Sequence, residues 1–86
     1  MIPDEIREKV AGFIRQNFLF DRNRALNPDV SLISTGILDS TGILELIAFI
    51  EEDFGVTFAD DELVSENFDT IDSIVAILLK KMPKSA

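Results

Sequence analysis

The sequence predicts an all-α fold: a small bundle of three main helices plus one short helix, with a long first loop. Three observations predict it. Apolar residues recur at helical spacing in three separate stretches, which begin near Ile6, Ile43 and Ile71. Turn formers gather between those stretches, notably Asn23, Asn27, Pro28, Asp29, Ser31, Ser34 and Gly36. Finally, a chain of 86 residues that is 47% apolar and has no cysteine must build one core by packing alone. Residues 1–86 are therefore read as a single domain.

The first helix runs from Pro3 to about Phe18. Pro3 suits its first turn, Asp4 and Glu5 suit its positive end, and Ile6, Val10, Phe13 and Ile14 recur on one face, with Phe18 beyond. From Leu19 to Asp39 no period persists. A loop this long in so small a domain is unusual, and Leu26, Val30, Leu32, Ile37 and Leu38 are expected to pin it to the core. The central helix begins at the Asp39-Ser40 junction. Wound at about 100° per residue, it places Ile43, Leu46, Ile47, Ile50 and Phe54 within one arc. Phe49 falls outside both faces of that wheel. Gly55 is a natural stop, Val56-Thr57-Phe58 is extended, and Asp60-Asp61-Glu62-Leu63 suits one or two helical turns, the short helix of the bundle. Asp69 or Thr70 caps the last helix, whose inner face is Ile71, Ile74, Val75, Leu78 and Met82. Lys80 and Lys81 sit at its negative end, and Pro83 stops it.

Charge narrows the partners. All eight basic residues lie near the ends: Arg7, Lys9, Arg15, Arg22, Arg24, Lys80, Lys81 and Lys84. Between Ala25 and Leu79 there are twelve acids and no base, so mutual repulsion is expected there. Such a surface disfavours nucleic acid and anionic membranes and favours basic protein patches. The longest apolar run, Ile74–Leu79, is six residues, so no membrane span is expected. Met1-Ile-Pro-Asp-Glu is not the pattern of a signal peptide, and the expected location is cytoplasmic.

The chemistry the chain can perform alone is limited. Without histidine or cysteine it has no Ser-His or Cys-His nucleophile and none of the commonest zinc sites. There is no P-loop or dinucleotide glycine pattern. Asp60-Asp61-Glu62 lacks the alternate ligands and central glycine of a calcium loop, so no metal site is expected. Nothing basic nearby in sequence can activate Ser40, which is a poor catalytic nucleophile and a suitable substrate for another enzyme. The expectation is a protein that is not itself an enzyme. A helix N-terminus at Ser40 favours a negative phosphate, and Gly36 and Gly42 are expected to keep bulk away from the hydroxyl. Opposite the core arc lie Ser40, Thr41, Leu44, Glu45, Ala48, Glu51 and Glu52, an apolar strip edged by carboxylates. Changes at Leu44, Glu45 or Glu51 are expected to leave the fold intact, because none lies on the core arc. The unadorned reading of Asp39-Ser40 is an N-cap worth about 1 kcal/mol.

In order, Gly36, Asp39, Ser40, Glu45, Leu46 and Glu51-Glu52-Asp53-Phe54-Gly55 resemble the attachment segment of acyl carrier proteins. Thr41 departs from the usual leucine or methionine and Gly42 from a common acid. The resulting Ser-x-Gly spacing is more like D-alanyl and other aminoacyl carriers. The resemblance implies a free-standing, monomeric carrier whose Ser40 holds 4′-phosphopantetheine, taken from coenzyme A and supplying the thiol this chain lacks. Asp39 is implied to help recruit or position the phosphopantetheinyl transferase and its magnesium. Further partners implied are an acyl- or aminoacyl-activating ligase or a transacylase, and downstream synthases or transferases. These would dock on Thr41, Leu44, Glu45, Ala48, Glu51 and Glu52. The long anchored first loop also fits the family. Two alternatives stand beside a fatty-acyl carrier: a D-alanyl or aminoacyl carrier, and an unmodified acidic helical adaptor for a basic partner.

Overall fold

The computed structural model describes residues 2–19 and 26–82. Arg22, Asn23 and Arg24 of the first loop, the Pro83 stop and Lys84 lie outside the described residues. Helix α1 spans Pro3–Phe18, with Pro3 at its first turn and Ile6, Val10 and Ile14 fully buried. Helix α2 spans Ser40–Phe54 and ends on Gly55, whose φ of 69° and N–H bond to the Glu51 carbonyl reverse the chain. A 3₁₀ turn at Asp60–Glu62, helix α3 at Ser65–Phe68 and helix α4 at Ile71–Lys81 complete the order. Among the described residues there is no strand, and no helix is long and apolar enough to cross a membrane.

The three long helices lie where their periodicity predicts. Leu46 and Ile50 of α2 are fully buried, while Ile43, Ile47 and Phe54 are half-buried on the same side. In the first loop, Leu32, Ile37 and Leu38 are buried, and the Leu38 N–H donates to the Leu32 carbonyl at 3.0 Å. Beyond α2, Val56 and Phe58 point inward and Thr57 outward, the alternation of an extended strand. Helix α4 packs against both α1 and α3, and α1 also packs against α2. Cover from two sides explains why Ile77 is buried beside the expected Ile71, Ile74, Val75 and Leu78; Met82 is only half-buried.

Four details refine or differ from the sequence expectation. The single short helix at Asp60–Leu63 is instead two separate turns, at Asp60–Glu62 and Ser65–Phe68. Phe68 causes the second: it is 1% exposed and sits edge-on to Phe58, with ring centroids 5.2 Å apart. One half-buried residue has no period to betray it. Phe49 stacks on Phe13 of α1 with centroids 4.1 Å apart and Phe54 against its edge, so it belongs to the α1–α2 seam.

Third, of the two candidate caps of α4, Thr70 serves: its Oγ1 accepts from the Ser73 N–H at 3.0 Å. Fourth, the acids of the middle are partly compensated, because folding returns the terminal bases to them. Lys81 meets Glu62 at 2.7 Å, Lys9 meets Asp53 at 3.3 Å and Arg7 lies 3.9 Å from Asp72. Lys81 also lies over the Phe58 ring. Its side chain and that of Glu62 are 20% and 28% exposed, so this pair is screened less than the Lys9 pair, at 46% and 36%.

Candidate attachment site

Asp39 and Ser40 stand where the first loop becomes α2. The Asp39 backbone is extended, and its carboxylate accepts from the Gly42 N–H at 2.7 Å, an N-cap. The Asp39 carbonyl already accepts from the Ile43 N–H at 2.9 Å. Ser40 and Thr41 therefore occupy the first turn, whose amides have no acceptor within the helix. Both are exposed. The hydroxyl of Ser40 is thus presented at the positive end of a 15-residue helix dipole.

Gly42 acts differently from the expectation. It faces inward and is buried: a Cβ there would stand 3.1 Å from Phe18 Cε1, 3.2 Å from Asp39 Oδ1 and 3.3 Å from Leu38 Cδ2. Its lack of a side chain admits the end of α1 and the capping carboxylate rather than clearing the attachment point. Around Gly36, nothing crowds a Cβ position, and its φ of 77° is what the turn requires.

Beside Ser40 runs an open groove of about 220 Å³, lined by Ile43, Leu44, Ile47, Leu63, Val64, Ser65 and Phe68. Leu44 is 68% exposed, and Leu63 and Val64 are 43% each. Leu44 lies on the outer face its helical spacing predicts, whereas Leu63 and Val64 carry no signal in the sequence. They enter only because the Phe58–Phe68 segment folds back beside α2.

The rest of the outer face divides. Thr41, Glu45, Ala48 and Glu52 are exposed, and none of the ion pairs among the described residues involves Glu45 or Glu52. Glu51 is half-buried, and its carboxylate accepts from the Phe58 N–H at 3.1 Å. It ties α2 to the segment that walls the groove, so it is not the fold-neutral position expected. Glu62 is likewise committed. The Lys81 ammonium, and then the Ala59 N–H, hold its carboxyl below the ordinary carboxylate range.

An exposed hydroxyl at a helix start, beside an open apolar groove, fits a phosphodiester followed by an extended, partly apolar arm. The phosphopantetheine attachment site family matches residues 4–78, a range that covers all or most of every described helix. The chain belongs to that family. Its cofactor is covalent 4′-phosphopantetheine, and it is a carrier protein. A D-alanyl carrier protein of Streptococcus suis (strain 98HAH33) is 28% identical over 78 residues, covering 91% of this chain and 96% of that protein. A probable acyl carrier protein, PigG, of Serratia sp. (strain ATCC 39006) is 28% identical over 81 residues, covering 92% and 93%. The D-alanyl carrier protein of Bacillus velezensis is 39% identical over 49 residues, covering 57% of this carrier and 63% of its own length.

Proposed function

We propose that Ser40 is the attachment residue and that the carrier's cargo is D-alanine or another small aminoacyl group. The observation that carries the attachment is the exposed Ser40 hydroxyl, on the first residue of α2 and at the mouth of the apolar groove. In the transfer step the Ser40 oxygen bonds to the pantetheine-side phosphorus of coenzyme A. Its proton leaves, and 3′,5′-adenosine bisphosphate departs. The chain's own part is to hold that oxygen in place: Asp39 fixes the first turn through Gly42, and its exposed carboxylate faces the incoming transferase with its magnesium. When bound, the arm supplies a terminal thiol on which cargo rides as a thioester. Leu44, Ile47, Leu63 and Val64 offer the arm an apolar lining.

Three features support a small cargo. Several relatives are named D-alanyl carriers, and the Ser-x-Gly spacing at Ser40 and Gly42 resembles that of aminoacyl carriers. Phe68, which lines the groove, is buried edge-on against buried Phe58, so two large rings fill the core there and favour a small cargo. The wall is tied down by Glu51 on one side and by Glu62 with Lys81 on the other. The chain then acts as a free-standing, non-catalytic monomer of the cytoplasm, loaded by an aminoacyl-activating ligase and emptied by a downstream transferase. These enzymes dock on the line of Thr41, Leu44, Glu45, Ala48 and Glu52.

Intact mass tests the attachment. Incubated with coenzyme A and a broad-specificity phosphopantetheinyl transferase, the chain should gain one arm, and Ser40→Ala should gain none while keeping its helical spectrum. A modified Ala variant, or a wild type refused by several transferases, would favour the unmodified adaptor. Amide shifts of holo, D-alanyl and octanoyl forms test the cargo. Large shifts at Leu46, Ile50 and Phe68 on octanoylation would return the reading to a fatty-acyl carrier.

A further inference from the structure

Asp69 stands between α3 and α4, away from the attachment helix in sequence, yet it holds three consecutive residues of the first loop. Its Oδ1 accepts from the Ile33 N–H at 3.0 Å, and its carbonyl accepts from the Leu32 N–H at 2.6 Å. Both carboxylate oxygens lie 2.8 Å from Ser31 Oγ. Ser31 has one hydroxyl proton. Given to the carboxylate, it leaves Ser31 Oγ to accept from the Ser34 N–H at 3.0 Å, with the Ser34 hydroxyl oxygen 2.9 Å away. Asp72 adds a second tie, its N–H donating to the Pro28 carbonyl at 3.0 Å.

From this anchor the hydrogen bonds run on to Ser40. Thr35 Oγ1 donates to the Ser31 carbonyl at 2.7 Å, the Gly36 N–H to the Ile33 carbonyl at 3.0 Å, and the Leu38 N–H to the Leu32 carbonyl at 3.0 Å. Leu32 is thus bonded to Asp69 through its N–H and to Leu38 through its carbonyl. Asp39 follows directly and caps the helix that Ser40 begins. Burial of Leu32 and Leu38 holds this loop against the core, but apolar burial has no direction. Directional bonds set its register.

We infer that Asp69 is a positioning residue for arm transfer: through Ser31, Leu32 and Ile33 it fixes the loop that delivers the Ser40 hydroxyl. The inference rests on Ser40 being the attachment residue. Without the Asp69 carboxylate the loop stays buried and Leu32 keeps its bond to the Asp69 backbone carbonyl, but Ser31 and Ile33 lose their ties and the first turn of α2 loosens. The docking line from Leu44 to Glu52 keeps its own helix. Transfer should therefore lose turnover rather than recognition.

Steady-state transfer from coenzyme A to the full chain tests this. Asp69→Ala should lower kcat about tenfold with KM unchanged, since small misplacements of a reacting group cost that much or more. Asp69→Asn retains an oxygen for the Ile33 N–H and should recover most of the rate. Ser31→Ala, which removes only a hydroxyl, should show a smaller loss of the same kind. Hydrogen exchange should quicken at Ile33, Leu38 and the first turn of α2 in Asp69→Ala. Val75→Ala, a buried change in α4 away from the loop, is the control for lost stability. The inference is overturned if Asp69→Ala loses no more kcat than Val75→Ala at matched Tm loss, or if Asn is as slow as Ala. If the wild type takes no arm, the attachment reading itself has failed. Unchanged exchange in the loop would then overturn the positioning role separately.

Discussion

The N-termini of α2 and α4 use one device and do opposite things. Each is capped by a side-chain oxygen that accepts from the amide three residues on: Asp39 from Gly42 and Thr70 from Ser73. After the cap, α2 opens with exposed Ser40 and α4 with Ile71, which is 1% exposed. The α4 terminus is also bound to the first loop through Asp69 and Asp72, while the turn at Ser40 faces a groove. A cap and a helix dipole are therefore common property of both ends. What distinguishes the α2 end is the exposed hydroxyl and the apolar groove beside it.

The largest effects should separate the residues after the two caps. Ile71→Ala should cost about 2–5 kcal/mol in denaturant unfolding, as removal of a buried isoleucine does. Ser40→Ala should leave the unfolding midpoint in place and abolish arm uptake. If Ser40→Ala were as destabilising as Ile71→Ala, the serine would belong to the fold and the contrast would collapse.

Next come the caps themselves. Asp39→Ala and Thr70→Ala should each cost about 1 kcal/mol, the usual worth of an N-cap. Only Asp39→Ala should slow arm transfer more than a control of equal stability loss. Equal slowing by both would show that transfer senses global stability and not the α2 terminus.

The same contrast divides the acids of α2. Glu51→Ala should cost about 1 kcal/mol by orphaning the Phe58 N–H, and it should loosen the groove wall. Glu45→Lys should leave the melting temperature unchanged and slow transfer most at low salt, as expected when carboxylates steer a basic partner. Glu66→Lys, an exposed change on α3, is the control. Slowing by Glu66→Lys equal to that by Glu45→Lys would reduce the docking face to bulk charge.

The smallest effect lies at Glu62. Lys81 and the Ala59 N–H favour its ionised form in the fold, so its folded pKa is depressed. The stability it adds is complete above the unfolded value of about 4.3 and is lost as pH falls through the lower folded value. Thermal melts of wild type and Glu62→Gln should differ at pH 6 and converge in strong acid. A gap that stays constant with pH would show that the Lys81 pair adds nothing that titrates.

Much of the carrier was legible in its residues because local rules and burial agree there. The spacing of Ile6, Val10 and Ile14, and of Ile71, Ile74 and Leu78, is both a helical period and a buried stripe. Gly55 ends α2 because αL geometry is a local demand, and Asp39 caps it by accepting from the Gly42 N–H three residues on. The Asp39-Ser40 junction could be read for the same reason, since a cap lies wholly within one short segment.

What the sequence determined by itself was therefore whatever lies within about a turn of helix: the three long helices, their core faces, the cap before Ser40 and the acidic outer strip. Tertiary structure decided what depends on segments distant in the chain. It gave Glu51 to the Phe58 amide, returned Lys9 and Lys81 to Asp53 and Glu62, and turned Gly42 towards Phe18. It also stacked Phe49 on Phe13 and set Leu63 and Val64 beside Leu44 to make the groove. The physical reason is range. Backbone hydrogen bonding in a helix repeats every few residues and leaves a period in the sequence, whereas a contact across the bundle leaves none until the chain has closed on itself.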